Sequence, residues 1–230
     1  ATVGFNLKNK GLIEDVKVAG SVTGNNDVAG IVNKIDEDGK IENVAFIGKI
    51  NSVGNNSTVG GIAGSNYMGF VNRAYVDATI TANNANASML VPYVTYMLNS
   101  WKSGTKARVT NSVAKGVLDV KNTRYVGGIV AKTWPYGAVQ DNVTYAKVVK
   151  GQEIFASNDV DDEDGGPYIK DLFGVIGYSS AEDGTGRDTK SPKKLKHLTK
   201  EEADKRVEGY KITADTFVSE PNALNTLNNA

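Results

Sequence analysis

The side chains best suited to binding another molecule are aromatic residues in two interruptions of an otherwise regular chain. Trp134 and Tyr136 flank a proline at a corner where an exposed turn is expected. The insertion at 89–104 carries three more: Tyr93, Tyr96 and Trp101. Large rings bury much surface at a low cost in side-chain entropy, so they anchor protein or glycan contacts. The pattern predicts a surface that binds a protein or a glycan; alternatively, the rings cover one another and seal the flank of the fold.

Catalysis is not expected from this composition. The chain has no cysteine and a single histidine, His197, which excludes cysteine-ligated zinc and any two-histidine metal site. Carboxylates within the repeats described below, such as Glu14 and Glu42, occupy equivalent positions, which favours a structural role over glycosidase chemistry. We therefore predict a non-catalytic chain without catalytic or metal-ligating residues and without a cofactor of its own.

An acidic insertion at 151–169 is the one place where a cation could bind. Asp159, Asp161 and Glu163 alternate as oxygen ligands do, but Asp164 stands where the helix-loop-helix calcium loop requires glycine. The pattern favours a solvated acidic loop, with a structural calcium site as the alternative.

The overall charge argues against two classes of partner. Lysine plus arginine and aspartate plus glutamate both number 26, so the chain lacks the surplus of cations that a nucleic-acid binder uses against phosphates. No run of 18 apolar residues is present, so no membrane insertion is expected.

The chain contains an internal repeat that decides its architecture. Its unit is a ten-residue head with apolar residues at alternate positions, Asp or Asn usually at the third position and a small residue at the eighth. Alternation of this kind is typical of a strand with one buried face. The five heads occupy residues 13–22, 41–50, 71–80, 109–118 and 139–148.

A glycine-rich segment follows most heads, as at 59–64 (VGGIAG) and 126–131 (VGGIVA). A unit of this size cannot bury its own apolar face, but stacked units share one column of side chains. The repeats predict a mostly β protein, a parallel β-solenoid of about five turns resembling a right-handed β-helix. The alternative is a β-sandwich of short strands. An amide ladder along the third head position is expected, interrupted at Arg73.

The predicted organisation has two parts. Residues 1–182 form the solenoid with its insertions at 89–104 and 151–169, and residues 183–230 form a basic loop, a short capping helix and a tail. Thr199 and Glu202 make a capping box, Gly209 is expected to end the helix, and the helix should cover the open end of the solenoid. The first six residues read as the tail of a preceding repeat, which predicts an excised piece of a longer protein.

The glycine-rich segments 59–64 and 126–131 resemble the repeat known as the GLUG motif. Together with the head start GKIENV at 39–44, they look like the region upstream of the catalytic domain in streptococcal immunoglobulin A1 proteases, which are wall-anchored zinc metalloproteases. The helix start LTKEEA at 198–203 and ITA at 212–214 are similar to the segment closing that region. The resemblance implies a non-catalytic domain whose zinc lies in the catalytic domain of the parent.

Several partners and one location follow from the resemblance. It implies immunoglobulin A1 and the catalytic domain of the same parent chain as partners, and an extracellular, secreted and cell-wall-associated protein. Three functions stay open: recognition or positioning of the antibody substrate, a passive spacer holding the catalytic domain off the wall, and an adhesin-like module for host glycans. Two long interruptions are unnecessary in a spacer, which favours recognition.

Overall fold

The computed structural model describes most of the repeat region and a C-terminal segment. The described residues are 1–94 apart from 3, 9 and 37, then 107–133, 138–150, 155–158, 176–177 and 196–212. The proposed calcium site at 159–164 and the basic loop up to residue 195 lie outside these ranges.

The strands follow one another as successive turns of a solenoid. A first strand, β1 (Gly4–Leu7), precedes the first full turn. The first full turn contains β2 (Leu12–Gly24), β3 (Val28–Ala29) and β4 (Val32–Ile35). The second contains β5 (Lys40–Gly60) and β6 (Ala63–Asn66), and the third contains β7 (Phe70–Ser88) and β8 (Tyr93–Val94). The fourth contains β9 (Arg108–Thr110), β10 (Val113–Gly127) and β11 (Val130–Thr133), and the fifth contains β12 (Ala138–Gln140), β13 (Val143–Thr144), β14 (Lys147–Val148) and β15 (Phe155–Asn158).

These strands form two parallel sheets. The short sheet runs in the order β1-β4-β6-β8-β11-β15, and the long sheet contains the head strands of every turn. The heads align as the repeats predict, since Ile13 pairs with Ile41, Ile41 with Val71, Val71 with Val109 and Val109 with Val139. The predicted parallel β-solenoid is confirmed. A separate pair, β16 (Ile176–Gly177) and β17 (Lys196–His197), is also parallel.

The core is the column of side chains that alternate inward along the heads. Val44, Phe46 and Ile50 of β5 are fully buried, as are their counterparts in β7, Ala74, Val76 and Ile80. Complete burial of one such Val, Ile or Phe contributes about 1.5–3 kcal/mol. The stacked column is therefore the main source of stability, as expected when single turns cannot bury themselves.

A corner of the chain recurs at the third position of every head. The five residues there have positive φ angles between 50° and 55°, in the left-handed region: Asp15, Asn43, Arg73, Asn111 and Asp141. Asp and Asn tolerate this conformation better than other residues with a Cβ, which explains their place in the repeat. The expected ladder is present between the first two turns, where Asn43 Nδ2 donates to Asp15 Oδ1.

A second recurring position brings neighbouring turns into close contact. Gly48 has a φ of +145°, and a Cβ there would lie 1.9 Å from the Gly20 carbonyl oxygen of the turn before. Gly116 repeats this, with its Cβ position 2.1 Å from the Ala78 carbonyl oxygen. The small eighth residue of the head is thus required by backbone contact between turns.

A single helix, α1 (Lys200–Tyr210), follows the solenoid in the described sequence. Its capping box is present: Glu202 N donates to Thr199 Oγ1 over 3.2 Å, and Thr199 N donates to a Glu202 carboxylate oxygen over 2.9 Å. The expected end at Gly209 is wrong, because the helix continues to Tyr210 and the left-handed residue is Lys211, with φ 54°. The amide of Lys211 bonds the Glu208 carbonyl, which closes the last turn without glycine.

The helix packs on the outer face of the long sheet, across the side of the stack, whereas the sequence predicted a position over its open end. Ala203 and Ile212 are buried there against apolar side chains that neighbouring heads present in register: Ala45, Tyr75, Val113 and Val143. Polar contacts hold the helix in the same position. Tyr145 OH donates to Asp204 over 2.5 Å, Arg206 pairs with Asp141, and Arg73 Nε donates to the Tyr210 carbonyl over 3.3 Å.

Replacing Gly48 by alanine is expected to destabilise the solenoid strongly. The new Cβ overlaps the Gly20 carbonyl and the φ of +145° is strained for alanine, so we expect a loss of about 2–5 kcal/mol. Gly209→Ala is the matched control: it lies in the helix with no atom within 4 Å of the added Cβ, and should stabilise by up to about 1 kcal/mol. Urea denaturation of both variants checks this; equal midpoints would contradict the close contact between turns.

Helix docking is expected to weaken at alkaline pH through Tyr210. Burial, reinforced by the charge of Asp141, raises the pKa of this phenol to about 12 from 10.0. Because the raised pKa favours the neutral phenol in the folded state, the stabilisation is present below pH 10 and is lost as pH rises through 12. A phenolate absorbance titration should show a step near pH 12 that Tyr210→Phe removes. A late step that survives in Tyr210→Phe would refute the assignment.

Candidate functional site

The structure describes one of the five aromatic residues predicted to bind substrate. Tyr93 lies in β8 of the short sheet, is partly exposed, and pairs in register with Lys132 of β11. Trp101, Tyr96, Trp134 and Tyr136 lie outside the described residues. Whether the five rings form one surface therefore stays a prediction.

Cations lie close to other tyrosine rings on this side of the molecule. Lys132 Nζ is 4.7 Å from the centroid of the Tyr125 ring, and Lys34 Nζ is 4.7 Å from that of Tyr67. Contacts at this distance are attractive because the ring face is electron-rich. The surface around Tyr93 thus combines half-buried aromatic rings with positive charge, a combination common at protein interfaces.

A more completely described site is a groove on the long sheet that sequence reasoning missed. Phe70, Lys40 and Arg108 stand one residue before the heads of three successive turns and are paired in register, with Phe70 in the middle. Lys40 Nζ and Arg108 Cζ each lie 5.9 Å from the Phe70 ring centroid. We call this set the Phe70 groove, whose further lining residues are Lys10, Asp38, Glu42, Asn72, Thr110 and Asn111.

One wall of the Phe70 groove is a closed hydrogen-bond network centred on Asn72. Its Nδ2 lies 2.9 Å from both Glu42 carboxylate oxygens, and its Oδ1 accepts from Thr110 and Asn111, each over 2.9 Å. Arg73 lies 4.0 Å from the same Glu42 carboxylate. These polar groups are thereby held in fixed positions on adjacent turns, as a pre-organised binding wall requires.

The adjacent row of the groove, two residues earlier on the same three strands, carries positive charge. Within the described ranges, neither Lys40 nor Arg108 has a carboxylate within 4.0 Å, whereas Glu42 is already bound by Asn72 and Arg73. The groove therefore offers an apolar ring flanked by two cations beside a fixed row of amides and hydroxyls. This arrangement can hold an anionic or strongly polar ligand, with Arg108 able to form paired hydrogen bonds to a carboxylate.

The chain's donor set does not fit a zinc centre. Zinc sites use cysteine, histidine and carboxylate ligands, and this chain has no cysteine and only His197. Among the residues with described positions, no three His, Asp or Glu side chains converge as a metal site.

The chain is similar to a short segment of two much larger proteins. Zinc metalloprotease ZmpB of Streptococcus pneumoniae is 48% identical over 231 residues, which is 99% of this chain and 12% of that protein. Zinc metalloprotease ZmpC of the same organism is 32% identical over 154 residues, 64% of this chain and 8% of that protein. This chain is homologous to a segment of streptococcal zinc metalloproteases. The expected relationship to that group is confirmed.

The homology covers only a small share of each relative. The chain spans 12% of the length of one metalloprotease and 8% of the other. No family model and no solved structure matches the chain. In the described part of the chain, no helix is long and apolar enough to span a membrane.

Proposed function

We propose that this chain is a non-catalytic module of a zinc metalloprotease that recognises or positions the protein substrate. The observation that supports it best is the Phe70 groove. There an aromatic ring and a fixed polar wall meet two cations that have no carboxylate within 4.0 Å among the residues of described position. A protease that selects one large protein needs contacts beyond its catalytic cleft, because specificity is a difference between affinities.

The proposed substrate is immunoglobulin A1, and the proposed location is outside the cell, in a secreted, wall-associated parent protein. Both follow from the resemblance of the repeats to immunoglobulin A1 proteases and are consistent with homology to zinc metalloproteases. In this role the solenoid acts as a rigid base, since stacked turns hold outward side chains at fixed spacing. The catalytic domain of the same parent supplies zinc and the chemistry.

The competing function is a passive spacer. A solenoid lengthens by the addition of stacked turns, so the number of turns sets a distance, and this suits a spacer equally well. The two functions make different predictions for the Phe70 groove: it binds a ligand in a recognition module and binds none in a spacer.

Removing the groove side chains should weaken antibody binding. We expect Phe70→Ala with Arg108→Ala to raise the Kd for immunoglobulin A1 about tenfold or more, the loss typical of a central aromatic or arginine contact. Calorimetric titration measures it, with immunoglobulin A2 as the control ligand. The control variant is Val53→Ala with Lys49→Ala, an exposed apolar residue and an exposed cation of β5 outside the groove.

Three outcomes are informative. Selective binding lost only in the groove variant supports the proposed site. Selective binding that the groove variant retains removes the groove but keeps the function. No binding of immunoglobulin A1 by the unaltered chain at high micromolar concentration favours the spacer.

The aromatic corner is tested separately. We expect Trp134→Ala with Tyr136→Ala to weaken antibody binding while leaving the β circular dichroism unchanged. The reason is that the sequence predicts an exposed turn at these residues, and residues of such a turn contribute to contacts and little to the core. Unaltered antibody affinity would exclude this corner from the interface. A loss of the β signal would instead support the alternative in which these rings seal the flank.

A further inference from the structure

The first turn of the solenoid differs from the others in how completely its core is covered. The inward residues Ile13, Val16, Val18 and Val22 of β2 are only partly buried. Their register partners in β5 are Ile41, Val44, Phe46 and Ile50, all at most 1% exposed. Equivalent positions of β2 and β5 thus carry the same type of apolar residue, but those of β2 are not covered by a further turn.

The backbone of β2 shows the same difference. Within the described residues β2 pairs with β5 alone, so the amides of alternate residues on its other side have no strand partner. Gly20 has the backbone conformation of Gly48, but a Cβ at Gly20 would meet no atom within 4 Å, whereas at Gly48 it would meet the preceding turn. A 13-residue parallel strand with a free edge is a site for strand addition.

The short sheet indicates what belongs on that edge. β1 pairs with β4 in the solenoid register, Gly4 with Val32 and Leu7 with Ile35, so β1 already occupies the position of a turn stacked on the first. The short sheet therefore has one strand more than the long sheet at this end. The free edge of β2 is the unfilled part of a turn whose short-sheet strand is β1.

We propose that the edge Leu12–Gly24 binds a further solenoid turn contributed by the same parent polypeptide, continuous with β1. The turn adds a parallel strand whose alternate apolar residues cover Val16 and Val18. Its residue opposite Asp15 carries a hydrogen-bond donor, Asn, Lys or Arg, because the Asp15 carboxylate can only accept and already accepts from Asn43 on its other side. The matched metalloprotease is long enough to supply such a turn, since this chain covers 12% of it.

Hydrogen exchange tests the proposal by comparing the isolated chain with the natural parent polypeptide. In the parent, the outward amides of β2 should exchange slower by on the order of 100-fold, because exchange then requires the added turn to open. Strand β7, which is already paired on both sides in this chain, is the internal control and should not change. Equally fast exchange of β2 in both proteins overturns the proposal. Slow exchange of β2 already in the isolated chain would also overturn the proposal. In that case, repeating the measurement at a lower protein concentration would show whether a second copy or the chain's own residues cover the strand.

A variant pair tests the apolar contact between β2 and the added turn. In the parent, Val18→Asp places a charge between two turns and should abolish the extra protection of β2. Ser21→Asp, on the exposed face of the same strand, should keep it. Protection of β2 that survives Val18→Asp would show that no apolar turn covers this strand. This test involves no antibody, so its result is separate from that of the Phe70 groove.

Discussion

The stacking register between turns is the constraint on which the rest of this structure depends. Side chains alternate across a strand with a period of two, so a slip of one residue would turn every core valine and isoleucine outward. Two devices hold the register: the left-handed corner at the third head position and the close contact at the eighth, where the Gly20 carbonyl occupies the space of a Gly48 side chain. Because both recur, an error in one turn would misplace all later ones.

This constraint also explains where the surfaces lie. A register-locked stack converts one position of the repeat into a column, and the residue types in that column are free to differ from turn to turn. The Phe70 groove is such a column, with a lysine, a phenylalanine and an arginine on three successive turns. The surface on which α1 packs is another such column, with Ala45, Tyr75 and Val113 on three successive turns. Binding surface in this fold is thus composed across turns.

Because these surfaces combine residues from several turns, the sequence predicts local structure but not the surfaces. The alternation around Ile41 and the Thr199–Glu202 capping box are local patterns, and both predicted their structures. The Phe70 groove joins residues 30 and 38 positions apart, visible only if the position before each head is compared across turns. The packing surface of α1 was missed because it too is formed by residues from different turns. The end at Gly209 failed because Lys211 adopts the left-handed angle despite its Cβ.

The helix across the side of the stack changes the cooperativity of the whole molecule. In a simple repeat array each turn interacts with its neighbours alone, so folding propagates stepwise and either end frays first. Here residues 203–212 contact turns two to five together, so loosening one of those turns weakens the attachment of all four. The helix is also the last of the described elements to be synthesised. During translation the apolar column that it covers stays open to solvent until residues 200–212 have been synthesised, and the turns become a single cooperative unit only at that point.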